Sequence, residues 1–187
     1  IVKAAFADQS FLPEESQLVA VNSINWARIM MQIVYYFSSA LRLGAPEKAV
    51  SFSVPTGNFG DIYAGYLAKR LGLPIKQLVV ATNSNDILHR FISGNEYSVT
   101  DLKHTFSPSM DILVSSNFER YLFELFDRDA EQLILFMSKL GAQSQQVSDD
   151  KWQELRECFA SARVDDALTC ETIAKVFKDS GKLVDPH

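Results

Sequence analysis

The stretch between residues 49 and 81 limits the fold of this chain more than any other. Residues 49–54 (Ala-Val-Ser-Phe-Ser-Val) are β-prone, bounded by turn residues, and read as a buried strand. Pro55-Thr56-Gly57-Asn58-Phe59-Gly60 follows as a glycine-containing loop. Residues 61–71 carry Ile62, Ala64, Tyr66, Leu67 and Leu71 at helical spacing and stop at Gly72. A second strand is expected over 77–81, and a short helix over 87–92. Strands that alternate with helices pair in parallel, because the helix supplies the crossover that a parallel pair needs. The expectation is an α/β fold with an open parallel sheet.

Upstream, Asn22-Ser23 precede residues 24–43, which are apolar nearly all round and predict a buried helix. Asn22 or Ser23 is the expected N-cap, and Gly44-Ala45-Pro46 the stop signal. Pro13-Glu14-Glu15 reads as a turn or helix start. After residue 95 the pattern changes. Ser116-Asn117-Phe118-Glu119 resembles a capping box, and residues 132–140, 149–160 and 167–180 look helical. The aromatic residues around 118–126 and 133–137 form core stripes. Residues 142–149 form a polar loop, read as a mobile tip. Residues 1–95 are therefore read as part of an α/β domain, and 96–187 as a mostly helical addition to it.

Composition removes several function classes. The 187 residues carry a formal charge of -5, which leaves no basic excess to neutralise a nucleic-acid backbone. Cys158 and Cys170 form no CxxC pattern, and His89, His104 and His187 fall at no metal-ligand spacing. Buried or half-buried thiols suit a reducing cytoplasm, and no apolar run is long enough for a membrane span. The chain starts at Ile1 and ends at Asp185-Pro186-His187 without a closing element, so a fragment cut at both ends is expected.

Two segments could carry chemistry. The first is the loop Thr56-Gly57-Asn58-Phe59-Gly60 at a strand-to-helix junction. Main-chain N–H groups at a helix start are unpaired and sit at the positive end of the helix dipole. Glycines let the backbone come close to a ligand, so the loop is either a phosphate cradle or an ordinary tight turn. It is neither a Walker loop nor GxGxxG. Asp61, in the first helical turn, must point away from an anion or hold a backbone donor. The second segment is Asn22-Ser23-Ile24-Asn25-Trp26-Ala27-Arg28. Asn25 and Arg28 share a helix face, and an Arg there either grips an anion or forms a structural ion pair.

These segments, in this order, carry a resemblance to a known family. Residues 21–29 (VNSINWARI) and 54–66 (VPTGNFGDIYAGY) are similar to stretches of threonine synthases. Residues 81–91 (ATNSNDILHRF) and 107–112 (SPSMDI) continue the match, which runs along the whole chain and is weakest after about residue 127. The resemblance is to the longer bacterial and fungal type, which carries a helical insertion.

The resemblance implies fold type II of the pyridoxal 5'-phosphate (PLP) enzymes, the tryptophan-synthase-β kind. It implies that Gly57, Asn58, Phe59 and Gly60 cradle the PLP phosphate, and that Asn22, Ser23, Asn25 and Arg28 lie near the substrate. The implied reaction converts O-phospho-L-homoserine and water to L-threonine and phosphate. The family's cofactor-holding lysine sits in a Ser-Phe-Lys motif far upstream, and no such motif occurs here. The expected partner is therefore a missing N-terminal half, and the 187 residues alone are expected to be inactive. The competing reading of the residues is a catalytically silent phosphate- or nucleotide-binding α/β module.

Overall fold

A computed structural model describes residues 8, 10–13, 15, 16, 18, 19 and 22–187. The expectations for residues 1–6 and for Glu14 lie outside the described residues, although Ser16 N–H does bond Pro13 C=O at 3.1 Å, closing a turn. The centre is a parallel three-stranded sheet of order β1-β2-β3. Its strands are β1 (Val50–Pro55), β2 (Ile75–Thr82) and β3 (Phe159–Arg163). Leu78 and Val80, on the central strand, are fully buried.

Seven helices accompany the sheet among the described residues. They are α1 (Trp26–Arg42), α2 (Gly60–Arg70), α3 (Ile87–Gly94), α4 (Phe118–Leu125), α5 (Ala130–Ser138), α6 (Asp149–Cys158) and α7 (Asp166–Ser180). The expected strand–loop–helix–strand–helix order holds, and α1 stops ahead of Gly44, whose φ is +101°. The α1–α2 packing is close because Gly65 has no side chain. A Cβ at Gly65 would lie 2.6 Å from Tyr36 Cε1 and 3.0 Å from Leu78 Cδ2.

Aromatic rings join the two halves of the chain. Phe59 packs on Phe118 with ring centroids 4.9 Å apart, and on Phe159 at 5.4 Å. Phe118, Tyr121, Phe126 and Phe136 are buried, as the stripes predict. Phe59 also brings the glycine loop onto this core, since its ring is only 1% exposed.

Five expectations need correction. The helix over 24–43 is not buried all round: Tyr36 is 4% exposed but its neighbour Tyr35 is 65%. Apolar periodicity reports which side chains want cover, and only one face of α1 finds it within the described residues. The N-cap is Asn25, whose Oδ1 accepts from Ala27 N–H at 2.9 Å, while Asn22 Oδ1 accepts from Ile24 N–H one turn earlier. The capping box at 116–119 does not form, because the Asn117 side chain is directed to distant carbonyls. Residues 159 and 160 are strand rather than helix, because pairing of Phe159–Arg163 with Leu78–Thr82 outweighs local preference. The 142–149 loop is not a free tip. Gln145 and Tyr97 exchange two main-chain hydrogen bonds, and Asn95 bonds both main-chain groups of Val147.

Candidate functional site

The strand ends determine where a ligand can approach. In open parallel sheets the crevice outside the carboxyl ends of the strands is the usual ligand site. Here β1 runs off its end at Pro55 into the glycine loop, and α2 starts at Gly60. The residue preceding α2 is Phe59, with φ +64°, a left-handed conformation rare outside glycine. That backbone turn sends the Phe59 ring into the aromatic core.

The hydrogen bonds of the loop are asymmetric. Thr56 N–H bonds Ala81 C=O at 2.8 Å, and Thr56 Oγ1 donates to Val54 C=O at 2.6 Å, fixing the loop to the sheet. Gly60 N–H is taken by Asn58 Oδ1 at 2.9 Å. The carbonyl of Gly57 accepts from Ser115 Oγ at 2.7 Å. That of Asn58 accepts from Asn117 N–H at 3.0 Å and Asn117 Nδ2 at 3.2 Å. Among the described residues, the N–H groups of Gly57, Asn58 and Phe59 have no hydrogen-bond partner. Three successive open amides at a helix start form an anion-binding concavity. Gly57 also lets the loop press against its neighbours, since a Cβ there would lie 2.9 Å from Ile112 Cδ1 and 3.3 Å from Met110 Cα.

At Asp61 the main-chain carbonyl accepts from the Tyr36 hydroxyl at 3.0 Å. Desolvation by burial pushes its carboxyl above the ordinary value, offset in part by a hydrogen bond from Tyr36.

The second segment is placed in two parts. The carbonyl of Ser23 accepts from Asn117 Nδ2 at 3.0 Å, so Ser23 is tied to the glycine loop by the same side chain that holds Asn58. Arg120 Nη2 adds a bond to Ile24 C=O at 2.8 Å, and Arg120 Nε donates to Asn117 Oδ1 at 3.1 Å. Asn25 and Arg28 line a shallow cavity on the exposed side of α1 with Met31 and Tyr35. Tyr35 also borders the next cavity, which reaches Pro55 and Asp61 at the base of the loop. Asn22 is occupied in its own turn.

A cavity of about 310 Å³ opens at the carboxyl ends of the strands, between Pro55, Thr82, Asn83 and Val164 on one side and Leu168 and Ile173 of α7 on the other. Gly57–Gly60 do not line it. Beside it lies a polar knot around Asp111. Asp111 Oδ1 accepts from Asn83 Nδ2, Asn85 Nδ2 and Thr105 Oγ1 at 2.8, 3.0 and 2.7 Å. Desolvation pushes the Asp111 carboxyl up, but these donors outweigh it and hold the group below its ordinary value. His89 is half-buried, with Nδ1 2.9 Å from Ser161 Oγ. Cys158 is buried and Cys170 exposed. No group of three or more metal-capable side chains occurs among the described residues, and no helix there is long and apolar enough to cross a membrane.

Sequence reasoning missed Ser115 and Asn117, both fully buried and both bonded to the loop. Their separation from it, 58 and 59 residues, leaves no local signal.

Comparison with known proteins accounts for this arrangement. The chain is 60% identical to the threonine synthase of Pseudomonas aeruginosa over 188 aligned residues, covering all of this chain and 40% of that protein. The crystal structure of a PLP-bound threonine synthase from Brucella melitensis superposes with a TM-score of 0.93 at 51% identity, again over all of this chain and 40% of that one. Over its whole length the chain is homologous to one part of the threonine synthases. The yeast threonine synthase structure agrees, with a TM-score of 0.88 at 42% identity over 100% of this chain and 39% of that one. No family model matches the chain. It spans about 40% of the length of the threonine synthases it matches. All four motifs that suggested the family lie within the aligned span, and the sheet and the glycine loop belong to the shared threonine synthase fold.

Proposed function

We propose that these residues are the phosphate-holding part of a PLP-dependent threonine synthase, which converts O-phospho-L-homoserine and water to L-threonine and phosphate. The observation that carries the reading is the set of open amides at Gly57, Asn58 and Phe59, ahead of α2, where Phe59 supplies no side-chain cap. The donor set fits a phosphate ester: neutral N–H groups, a helix dipole behind them, and no basic side chain needed. PLP, when bound, supplies the electron sink for carbanions at the substrate's carbons.

The chain's own residues have narrower roles. Gly57, Asn58 and Phe59 donate their amides to the cofactor phosphate. Gly60 begins the helix without a Cβ, which would otherwise lie 3.2 Å from both Asn117 Nδ2 and Asn58 Oδ1. Asn22 and Ser23 shape the turn above the loop. Asn25 and Arg28 face the substrate side, where the Arg28 guanidinium is suited to a two-pronged grip on a carboxylate or phosphate. The reactive amine comes from outside these residues, from the upstream part of the family's sequence. That part also covers the exposed face of α1, where Met31, Val34 and Tyr35 are more than half exposed. On this reading residues 1–95 belong to the cofactor-binding α/β domain and 96–187 are a mostly helical addition to the same domain, working in the cytoplasm.

The test uses a polypeptide of full family length containing this chain. Incubated with PLP and O-phospho-L-homoserine, it is expected to release threonine and phosphate in equal amounts. It is also expected to bind PLP at least a hundredfold more tightly than pyridoxal, because two or three charge-assisted hydrogen bonds are at stake. Equal affinity for the two, or a preference for a nucleotide over PLP, would overturn the reading.

A further inference from the structure

A peptide group is planar, and in its trans form the C=O of one residue points opposite to the N–H of the next. Fixing a carbonyl on one side of a loop therefore aims an amide out of the other side. The only cis peptide bond among the described residues is Ala45–Pro46, so the loop peptides obey this rule. Ser115 Oγ holds Gly57 C=O at 2.7 Å, which aims the N–H of Asn58 away from Ser115. Asn117 holds Asn58 C=O twice, through N–H at 3.0 Å and Nδ2 at 3.2 Å, which aims the N–H of Phe59 the same way. These are two of the three open amides of the loop.

We propose that Ser115 and Asn117 are positioning residues for the anion cradle, gripping the back of the loop so that the Asn58 and Phe59 amides are aimed at a phosphate before it arrives. The inference rests on the phosphate-cradle reading above and adds to it. Both residues are fully buried, so neither needs a solvent role to explain its polarity. The grip is itself held in place. Asn117 Oδ1 is fixed by Arg120 Nε at 3.1 Å, so the amide group presents Nδ2, not oxygen, to the loop. Its Nδ2 also reaches Ser23 C=O at 3.0 Å, which joins the turn before α1 to the same support. Gly60 leaves the space in which Nδ2 sits, 3.2 Å from where a Cβ would be. A loop held this way does not have to reorganise on binding, and pre-arranged amides gain affinity by avoiding that cost.

The experiment compares PLP with pyridoxal, which lacks the phosphate, on the full-length enzyme carrying Ser115→Ala, Ser115→Thr or Ser115→Cys. Dissociation constants are measured by equilibrium dialysis, alongside the melting temperature of each apoprotein and the ³¹P resonance of bound PLP. Ser115→Ala is expected to weaken PLP roughly tenfold, the worth of about one hydrogen bond. It is expected to leave pyridoxal affinity unchanged and to shift the ³¹P resonance. Ser115→Thr, which keeps a hydroxyl, restores both. Should Ser115→Ala fail to fold, Ser115→Cys gives the same comparison with a poor donor of similar size. A variant that weakens PLP and pyridoxal by the same factor, or neither, overturns the proposal and leaves Ser115 as a structural buttress. If the unaltered enzyme does not distinguish PLP from pyridoxal, the cradle reading itself fails, a separable result.

Discussion

The starts of α1 and α2 solve the same problem in different ways. Each leaves main-chain N–H groups without intrahelical partners. At α1 the Asn25 side chain turns back and accepts from Ala27 N–H, so the end is closed locally. At α2 the preceding residue is Phe59, whose side chain is an apolar ring that accepts nothing and is buried in the core. Asn58 Oδ1 takes only Gly60 N–H, and the loop ahead of α2 is held through the carbonyls of Gly57 and Asn58, by Ser115 and Asn117, while the three amides before Gly60 stay open. A helix end that caps itself has little left to offer an anion, whereas one anchored from behind keeps its donors free. That difference, more than the presence of glycines, marks α2 as the ligand-binding end.

The comparison breaks most sharply at Phe59. If its ring is the anchor, Phe59→Ala should cost about 3–5 kcal/mol, the range for emptying a core aromatic site. The φ of +64° is retained by the replacement, so the loss reports packing and not relief of strain. Urea unfolding of the full-length protein measures it. A loss under about 1 kcal/mol would mean that the loop is held by its hydrogen bonds alone.

A smaller effect tests the contact between the two helices. Gly65→Ala places a methyl 2.6 Å from Tyr36 Cε1, with the Tyr36 hydroxyl already committed to Asp61 C=O. The ring cannot rotate away without losing that bond, so α1 must shift outward. The expected cost is about 1–3 kcal/mol, typical of overpacking. The midpoint of thermal unfolding should fall accordingly, with PLP affinity changed little, because the cradle is anchored on β1 and α4 and not on α1.

What the sequence disclosed about these regions follows from how far each cause reaches. The order of strands and helices was legible because hydrophobic period and glycine stops act within a few residues, as at Gly44 and Gly72. The N-cap of α1 was not, because Asn22, Ser23 and Asn25 are all competent caps. The choice depends on a turn closed by Asn22 Oδ1 on Ile24 N–H. Strand β3 was hidden because Phe159-Ala-Ser-Ala-Arg continues a helical stretch, and only its pairing with β2, some eighty residues away, makes it extended. The motif of the glycine loop was visible as TGNFG. What makes its amides available, the bonds from Ser115 and Asn117, was not, since Asn117 read as part of a capping box and Ser115 lies 58 residues from the carbonyl it holds.

The smallest effect separates capping from chemistry at the other helix start. Asn25→Ala removes the acceptor for Ala27 N–H and should cost about 1 kcal/mol, within the usual range for a lost cap. Asn25→Asp keeps an acceptor and adds a negative charge at the positive end of the helix dipole, so stability should be preserved. The aspartate variant is therefore the informative one. Asn25 lies in the cavity that also holds Arg28, and a carboxylate there opposes an anionic substrate while leaving the helix intact. If Asn25 faces O-phospho-L-homoserine, Asn25→Asp should raise KM for that substrate by roughly tenfold or more, with unfolding unchanged. Should KM stay where it was, Asn25 is a cap and nothing more, and the contrast between a closed helix end and an open one becomes complete.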